Sequence, residues 1–369
     1  MKKILICTIS IGNGHKSVTN TLANFLEGKN ESIEISVVDI YEYLTPRIGK
    51  MINKLYEGSV RYLPVAYEMF YEKTDSDSIL NDKINLSKMP KFKKILKSID
   101  PDLIIHTYPS MFYIKYEKAG KKVPSISIIT DYYAHRYWKQ KHVDYYITPS
   151  EQVKHQMIDL GVASENIFPF GIPIKKSFYR VIDDHERKDL LEKYDLPRNH
   201  KILMVMSGGL GMGNIIQVFN ALKDSQYHLV VLAGKNKELK EALDAINNHH
   251  TILPFVDYVD DLVNLSDGII SKPGGLTTTE IVASNKPLFI INPIPGQEEW
   301  NSRYLLNEGI ARRIYDLKMI AFDIEAVLSN DLKLEYIEKM SRKLSHIHCL
   351  ENIYDLINKI LYKKSNEID

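Results

Sequence analysis

Short apolar runs alternate with segments of helical spacing along most of the chain. In the first half, residues 16–26 have the periodicity of a helix that follows the first run. Apolar runs without polar alternation are typical of strands buried on both faces of a parallel sheet. The first half contains five such runs, at 3–9, 33–40, 102–106, 125–130 and 145–147. This half therefore predicts a doubly wound α/β domain.

The second half repeats the architecture of the first without repeating its sequence. Its apolar runs predict strands at 201–206, 228–233, 251–255, 268–271 and 288–291. Each half begins with a strand, a Gly-rich turn and a helix, and the joint falls near 170–174. We therefore expect two Rossmann-like domains, at 1–172 and 173–345. A final amphipathic helix at 346–362 is expected to pack back on the first domain.

Length and composition agree with two globular domains. The chain has 369 residues, 44% of them hydrophobic and 26% charged. It contains no run of about 20 apolar residues that would cross a bilayer, and its start does not read as a secretory signal. Cys7 and Cys349 lie at opposite ends of the chain, without the spacing of a metal site. We expect both to be buried free thiols in a reducing compartment. We therefore expect a cytoplasmic protein.

The small net charge of +1 hides an asymmetry between the halves. Residues 1–180 carry 26 basic and 19 acidic side chains, or +7, which leaves 22 basic and 28 acidic ones, or −6, for the rest. Within the basic half, residues 44–97 hold 11 Lys and Arg against 6 Asp and Glu, with aromatic residues between them. Such a segment suits the interface of an anionic membrane. Helices packed on the first sheet are the alternative interpretation, and no nucleic-acid partner is expected.

The strongest chemical motif is the block Ser271–Glu280, with the sequence SKPGGLTTTE. A strand ends at Ser271, the glycines turn the chain, and we expect a helix to begin near Thr277. Backbone amides at a helix start, with no Cβ in the way, bind phosphate oxygens. The carboxylate of Glu280 can accept two hydrogen bonds from a ribose diol. A plain strand–turn–helix joint with a threonine cap is the alternative.

A second polar loop, at 292–301, follows the strand at 288–291. Its side chains Gln297, Glu298 and Asn301 offer hydrogen bonds of the kind that sugars take. Ligands of open α/β sheets collect at the carboxyl ends of the strands, so the two loops predict a sugar-nucleotide site. The Gly-rich loop at 207–213 is a weaker candidate and lacks the Lys-Ser/Thr pair of a P-loop.

In the first half, the glycines of Gly12-Asn13-Gly14 turn the chain between the first strand and the first helix and present His15 at the sheet edge. Histidine is the natural general base near neutral pH. A helix cap is the alternative role for a lone histidine. Asp131 follows the strand at 125–130 and would orient His15, stabilise its cation or act as the base itself.

Metal binding is not expected. The tripeptide Asp75-Ser76-Asp77 matches an Asp-x-Asp metal–nucleotide motif, but it lies in a charged stretch with no apolar strand before it. No His/Cys cluster has the spacing of a zinc site.

These motifs together resemble a known family. The blocks Gly12-x-Gly14-His15, Thr130-Asp131 with His135 and Trp138, Gly171-Ile172-Pro173, 272–280 and 293–301 look like those of the monogalactosyldiacylglycerol synthases and bacterial processive diacylglycerol glucosyltransferases, in glycosyltransferase family 28. The resemblance covers residues 4–345. It implies an α/β GT-B fold with an interdomain cleft, and inverting transfer that requires no metal and no cofactor other than the UDP-sugar co-substrate.

The resemblance also implies roles for residues. His15 matches the proposed base, with Asp131 as its partner. The donor-binding residues would be Gly208, Gly209, Lys272, Gly274, Gly275, Leu276, Thr277, Thr278, Glu280, Pro295, Gly296, Gln297, Glu298 and Asn301. The residues for the acceptor or an anionic lipid would be Gly14, Lys91, Lys93, Lys94, Lys97, His135, Arg136 and Trp138.

The expected reaction is transfer of a hexosyl group, with glucose favoured over galactose, from UDP-glucose or UDP-galactose to diacylglycerol or a glycosyl-diacylglycerol. It would take place at an anionic membrane surface, on the inner face of the cell membrane. The alternatives are an N-acetylglucosaminyltransferase acting on a lipid-linked peptidoglycan intermediate, a UDP-sugar epimerase and a non-catalytic UDP-sugar sensor. The sequence does not decide the sugar, the number of sugars added or the oligomeric state.

Overall fold

The chain forms two compact units, each of which is described by itself. The first comprises Met1–Ile174, Pro295–Gln297 and His348–Asp369, and the second Lys175–Ile294 and Glu298–Ile347. The computed structural model describes residues 1–9, 14–40, 42, 58, 63–76, 84–109, 112–140, 142–206, 214–247 and 249–362.

The first unit is built on a parallel sheet of six strands. The strands are β1 (Lys2–Thr8), β2 (Ile33–Asp39), β3 (Leu103–His106), β4 (Ser125–Ile128), β5 (Tyr145–Ile147) and β6 (Ile167–Phe168). Their order is β6-β5-β4-β3-β1-β2, and every neighbouring pair is parallel. Strands β3 and β4 are buried throughout, as expected for the centre of a parallel sheet covered on both faces.

The first unit also contains helices. They include α1 (Gly14–Lys29), α2 (Pro64–Ser76), α3 (Pro90–Ile99) and α4 (Glu151–Asp159). Helix α1 buries Val18, Leu22 and Leu26 completely. These residues are four apart and share one face of the helix, so their spacing fixes the face that packs.

The second unit repeats this plan. Its strands are β7 (Ile202–Met206), β8 (His228–Gly234), β9 (Thr251–Pro254), β10 (Gly268–Ser271), β11 (Leu288–Ile290) and β12 (Ala311–Arg313). Their order is β9-β8-β7-β10-β11-β12, again all parallel. Phe219 and Phe289, both fully buried, belong to the core that packs against this sheet.

The remaining helices follow in chain order. They are α5 (Asp184–Lys193), α6 (Ile215–Leu222), α7 (Lys237–Ile246), α8 (Val259–Leu265), α9 (Gly275–Ala283), α10 (Gln297–Asn307), α11 (Ile320–Leu328), α12 (Asp331–Leu344) and α13 (Cys349–Tyr362). Helix α13 belongs to the first unit, where it contacts α1. None of the helices in the described ranges is long and apolar enough to cross a bilayer.

The strand order of each sheet reverses beside its first strand. In the first unit β1 lies between β2 and β3, and in the second β7 lies between β8 and β10. Open α/β sheets bind ligands at the carboxyl ends of the strands beside such a reversal. Each unit therefore has a defined edge at which a ligand site is expected.

The predicted α/β class with two parallel sheets is confirmed, and the predicted strands agree with the observed ones to within two residues. One expectation needs correction, and several strands were not predicted. The helix after β10 begins at Gly275 and not near Thr277, because Gly274 already occupies the cap position. Strand β12 was not predicted, because Ala311-Arg312-Arg313 contains no apolar run, and the two-residue strand β6 was not predicted either. Two pairs of two-residue strands, Ile84–Asn85 with Phe112–Tyr113 and Glu117–Lys118 with Lys121–Lys122, were also missed.

Candidate functional site

In the first unit, His15 lies at the reversal point between β1 and β3. Helix α1 begins at Gly14, so His15 stands in its first turn. The Nδ1 atom of His15 lies 2.7 Å from the backbone carbonyl oxygen of Thr107, which follows β3. The hydroxyl oxygen of Thr130, beyond β4, lies 3.2 Å from the same nitrogen. Residues from three strand ends therefore converge on one imidazole.

This contact fixes the protonation pattern of His15. A carbonyl oxygen only accepts hydrogen bonds, so Nδ1 carries the proton and Nε2 keeps its lone pair. Burial lowers the pKa of His15, while the negative charge of Asp131 and the bond to Thr107 act in the opposite direction. A neutral ring with a free Nε2 lone pair is the form that a general base requires.

Thr107 is held firmly in this position. Its hydroxyl lies 2.8 Å from that of Thr19 in α1, and its amide donates to the carbonyl oxygen of Cys7 at 3.2 Å. Both threonines are fully buried. Sequence reasoning missed Thr107 because its contribution is a backbone carbonyl, which no side-chain motif reveals.

Asp131 is nearly buried and contacts a residue that was expected in the donor site. The side-chain amide of Gln297 donates to Asp131 Oδ1 at 2.8 Å, and Pro295–Gln297 belong to the first unit. Gly296 has φ of +80°, and a Cβ there would lie 2.7 Å from Cγ of Tyr71. Only glycine fits this position, because the backbone is left-handed and the tyrosine ring is in contact.

The predicted acceptor residues after Asp131 are largely packed inside the protein. Trp138 is almost fully buried in a hydrophobic cluster. His135 uses both ring nitrogens: Nδ1 accepts from the amide of Tyr137 at 3.1 Å, and Nε2 lies 3.2 Å from the carbonyl oxygen of Tyr71. The amide of Arg136 donates to Asp75 at 2.9 Å. These contacts attach the loop to α2 and give His135 and Trp138 structural roles.

The predicted lysine group lies on one helix. Phe92 and Leu96 anchor α3 in the core of the first unit. The four lysines between and beside them are exposed: Lys91, Lys93, Lys94 and Lys97. Much of the rest of the basic segment 44–97 lies outside the described residues, as does Asp77 of the Asp-x-Asp tripeptide.

In the second unit, the start of α9 lies at the reversal point beside β10. Gly274 is the cap residue, and the amide of Thr278 donates to its carbonyl at 2.8 Å as the first helical bond. The amides of Gly275 and of the two residues after it come before this bond in the chain, so they have no acceptor within the helix. Asp183 and Asn236 cap their helices with side-chain oxygens, whereas no side chain among the described residues caps α9.

One buried hydroxyl in the next turn is also left without a partner among the described residues. The hydroxyl oxygen of Thr278 is fully buried and has no hydrogen-bond partner in the described part of the chain, while Thr279 donates to the carbonyl of Gly275 at 2.8 Å. Burial raises the pKa of Glu280 to about 8, partly opposed by Lys175 and reinforced by Asp260. Unsatisfied donors and a desolvated carboxyl group in one helical turn suit a ligand with phosphate and hydroxyl groups.

The two predicted donor loops meet in the structure. The side-chain amide of Asn301, fully buried, donates to the carbonyl oxygen of Pro273 at 3.0 Å. Glu298 accepts from the amide of Ile294 at 2.6 Å, and a Cβ on Gly274 would lie 3.9 Å from its Oε1. Asn301 and Glu298 thus brace the turn before α9, and Lys272 is half-buried beside it.

The remaining predicted donor residues are placed as follows. Leu276 and Thr277 are half-buried in the first turn of α9. Gly208 and Gly209 lie outside the described residues. Among the described side chains, no group of His, Cys, Asp and Glu has the arrangement of a metal site.

Family models match both halves of the chain. Residues 15–174 match the model described as monogalactosyldiacylglycerol (MGDG) synthase, and residues 202–357 match the glycosyltransferase family 28 C-terminal domain. The processive diacylglycerol beta-glucosyltransferase of Bacillus pumilus is 31% identical over 96% of this chain and 94% of its own length. The Bacillus subtilis protein of the same name is 29% identical over 99% and 96%.

Solved structures share the fold at low sequence identity. The S. aureus MnaA–UDP co-structure has a TM-score of 0.64 at 15% identity and covers 98% of this chain and 97% of its own. WaaG, a glycosyltransferase involved in lipopolysaccharide biosynthesis, has a TM-score of 0.58 at 10% identity, with 96% and 99% covered. Anabaena HepE in complex with UDP-glucose has a TM-score of 0.59 at 12% identity, with 97% and 100% covered. These likenesses confirm the GT-B fold class.

Proposed function

The chain belongs to glycosyltransferase family 28, in the branch of the monogalactosyldiacylglycerol synthases and processive diacylglycerol beta-glucosyltransferases, and from this we propose that it transfers glucose from UDP-glucose to diacylglycerol or a glycosyl-diacylglycerol. The names of its Bacillus relatives support both the acceptor and the preference for glucose over galactose. We further propose that the transfer inverts the anomeric centre and requires no metal ion.

The observation that carries this proposal is the 2.7 Å contact between His15 Nδ1 and the carbonyl oxygen of Thr107. It leaves Nε2 as a proton acceptor at the ligand edge of the first sheet. In an inverting transfer the acceptor hydroxyl attacks the anomeric carbon as UDP leaves, and its proton passes to the base. We assign that role to His15 Nε2, with Asp131 stabilising the imidazolium that forms.

Negative charge on the leaving diphosphate needs a second partner. We assign it to the first-turn amides of α9, from Gly275 to Thr277, which carry the positive end of the helix dipole. The buried Thr278 hydroxyl is a further donor for this charge. Glu280, one turn into the helix, would accept the ribose hydroxyls. Backbone amides and a dipole would stabilise the leaving group in the way that a metal ion does elsewhere.

Association with a membrane surface is part of the proposal. The exposed lysines of α3 offer positive charge to anionic head groups. Near α2, four large apolar side chains are more than half exposed: Leu63, Val65, Met69 and Phe70. Cationic and apolar side chains on one unit are the combination that binds an anionic membrane interface.

The test is mass spectrometry of the lipid product after incubation of diacylglycerol vesicles with UDP-glucose, UDP-galactose or UDP-N-acetylglucosamine. We expect a hexosyl-diacylglycerol with UDP-glucose, β-configured by NMR, and faster formation on vesicles that contain anionic lipid. His15→Ala should lower the rate by about 10²–10⁴-fold with UDP affinity unchanged. His155→Ala, at an exposed histidine of the same unit, is the matched control.

Absence of any lipid product with all three donors would refute the proposed reaction. Turnover of His15→Ala near that of the control would remove His15 from the mechanism while leaving the reaction class standing.

A further inference from the structure

The second unit contains a pocket whose lining, between Pro287 and Ile337, includes none of the residues assigned to the donor. It has a volume of about 830 Å³ and lies between the edge strand β12 and helices α11 and α12. We call it the edge pocket. Small-molecule sites in proteins typically have volumes of about 300–1,000 Å³, so its size suits a single ligand.

The floor of the edge pocket is apolar. Phe289, Val327 and Ile337 line it from β11, α11 and α12, and all three are buried members of the core of the second unit. One wall is fixed by Tyr336, whose ring packs against Gly309. A Cβ on Gly309 would lie 2.8 Å from Cε1 of that ring, and its φ of +70° favours glycine. The cavity is therefore preformed by the packing of the unit.

The rim of the pocket is an exposed apolar patch. Five large side chains that are 47–81% exposed line it within 22 residues of chain: Tyr315, Met319, Phe322, Leu332 and Tyr336. Scattered apolar side chains are normal on a protein surface, but a contiguous group around a cavity marks a binding site. The ligand must therefore present a large apolar surface.

The polar side of the pocket offers N–H donors to an acid group. Its lining includes three cationic side chains, Arg312, Arg313 and Lys333, against two acidic ones, Asp316 and Asp323. Arg313 is already paired with Glu299, which lies outside the lining, so Arg312 and Lys333 are the cations left to the pocket. Arg312 binds Asp323 Oδ1 through Nε at 2.8 Å and also through Nη2. Arginine has five N–H donors and the Arg312 side chain is 41% exposed, so it keeps donors beyond this pair.

Other occupants fit this chemistry less well. A second copy that paired along the edge strand β12 about a two-fold axis would place arginines opposite arginines, because two of the three strand residues are Arg312 and Arg313. Like charges at opposed positions destabilise strand pairing. A flat bilayer surface would reach only the rim, because the apolar floor lies inside a concave cavity.

We propose that the edge pocket binds the acyl chain of a single-chain anionic amphiphile of the fatty-acid class, with the acid group beside Arg312. The chain fills the space above Phe289 and Ile337, and the exposed rim side chains close around it. This site takes no part in the reaction proposed above and contains none of its residues.

The test is titration of the full chain with cis-parinaric acid, a fatty acid that fluoresces in apolar surroundings. We expect saturable binding of one probe per chain and displacement by oleate. Phe322→Glu and Leu332→Glu place charges on the rim at exposed positions that the fold tolerates, and each should weaken binding by about tenfold or more. The matched control is Val181→Glu, which changes a 74% exposed apolar side chain of the same unit outside the pocket lining. Its binding should equal that of the wild type.

Two further results decide the proposal. Oleyl alcohol, with the same chain and no acid group, should displace the probe less well than oleate, and equal displacement would remove the role of Arg312. Binding that is not saturable, or that survives both rim variants, would overturn the site itself. A dimer in sedimentation experiments that Phe322→Glu dissociates would also overturn the site, because the pocket would then be an interface between copies of the chain.

Discussion

Replacing Glu280 by glutamine should stabilise the second unit while weakening its affinity for UDP. The carboxyl group is desolvated in α9, and burial raises its pKa from 4.5 to about 8. The described residues give it no hydrogen bond that would offset this cost. Glutamine has nearly the same shape and no charge, so Glu280→Gln removes the penalty without opening a cavity.

The size of this gain in stability, and its dependence on pH, follow from the pKa values of Glu280 in the unfolded and folded states. Between pH 4.5 and 8 the folded state holds a proton that the unfolded state has lost, so the free energy of unfolding falls as pH rises through this window. The full difference from 4.5 to about 8 corresponds to about 5 kcal/mol, of which about 3 kcal/mol applies at pH 7. The side chain keeps some contact with solvent, so we expect a measured gain of about 2–3 kcal/mol at pH 7.

The assay is urea unfolding of the full chain at pH 5 and pH 8, with Glu241→Gln, at an exposed glutamate of the same unit, as the control. The gain for Glu280→Gln should be below about 1 kcal/mol at pH 5 and largest at pH 8. Calorimetry at pH 8, where the carboxyl group is about half ionised, should show UDP affinity about tenfold lower, because the amide offers one acceptor where the carboxylate offers two. A variant that is less stable than the wild type, or equally stabilised at both pH values, would refute this reasoning.

Two further predictions concern the interior of each unit. Thr19→Val removes the hydroxyl that lies 2.8 Å from that of Thr107, so we expect kcat to fall about tenfold at unchanged KM. Thr19→Ser keeps a hydroxyl and should recover the activity. An equal loss of kcat in both variants would contradict a positioning role for Thr19. Burial and neighbouring histidines lower the pKa of His228 to about 4 from 6.5, so the unfolded state gains a proton first on acidification. The free energy of unfolding should therefore fall by up to about 3 kcal/mol between pH 6.5 and 4. The fall should be less steep in His228→Gln than in His185→Gln, the control at an exposed histidine. Equal pH dependence of the two variants would contradict the role of His228.

The parts of the fold that sequence predicts are those where one local cause dominates. Strands such as β10 stand out because a buried strand of a parallel sheet must be apolar on both faces. Strand β12 does not stand out, because Arg312 and Arg313 are amphipathic side chains whose charged ends reach Asp323 and Glu299. It is a strand because it pairs with β11, and that pairing is a tertiary contact.

Residues of the candidate site also differ in whether the sequence alone reveals them. His15 and the turn at Gly274 are visible in the sequence because special residue types stand where a strand meets a helix. Thr107 is invisible, since any residue has a carbonyl group and only the fold brings this one to His15. Trp138 misleads for the opposite reason: an aromatic residue after a motif suggests a ligand contact, yet its ring fills the core of the first unit.

Three local rules of stable folding fail within two turns of α9, and they fail together. The helix start lacks a side-chain cap, the buried hydroxyl of Thr278 lacks a partner, and the carboxyl group of Glu280 is desolvated. Elsewhere in the same unit Asp183, Asn236 and Asn330 cap three helices, while α6, α8 and α11 also lack a side-chain cap among the described residues, so it is the coincidence of the three features that sets α9 apart. Sites where a sequence breaks several local rules at once are the sites where a ligand completes the structure. A diphosphate with a hydroxylated sugar attached would satisfy all three groups at once, which no single ion or apolar ligand does.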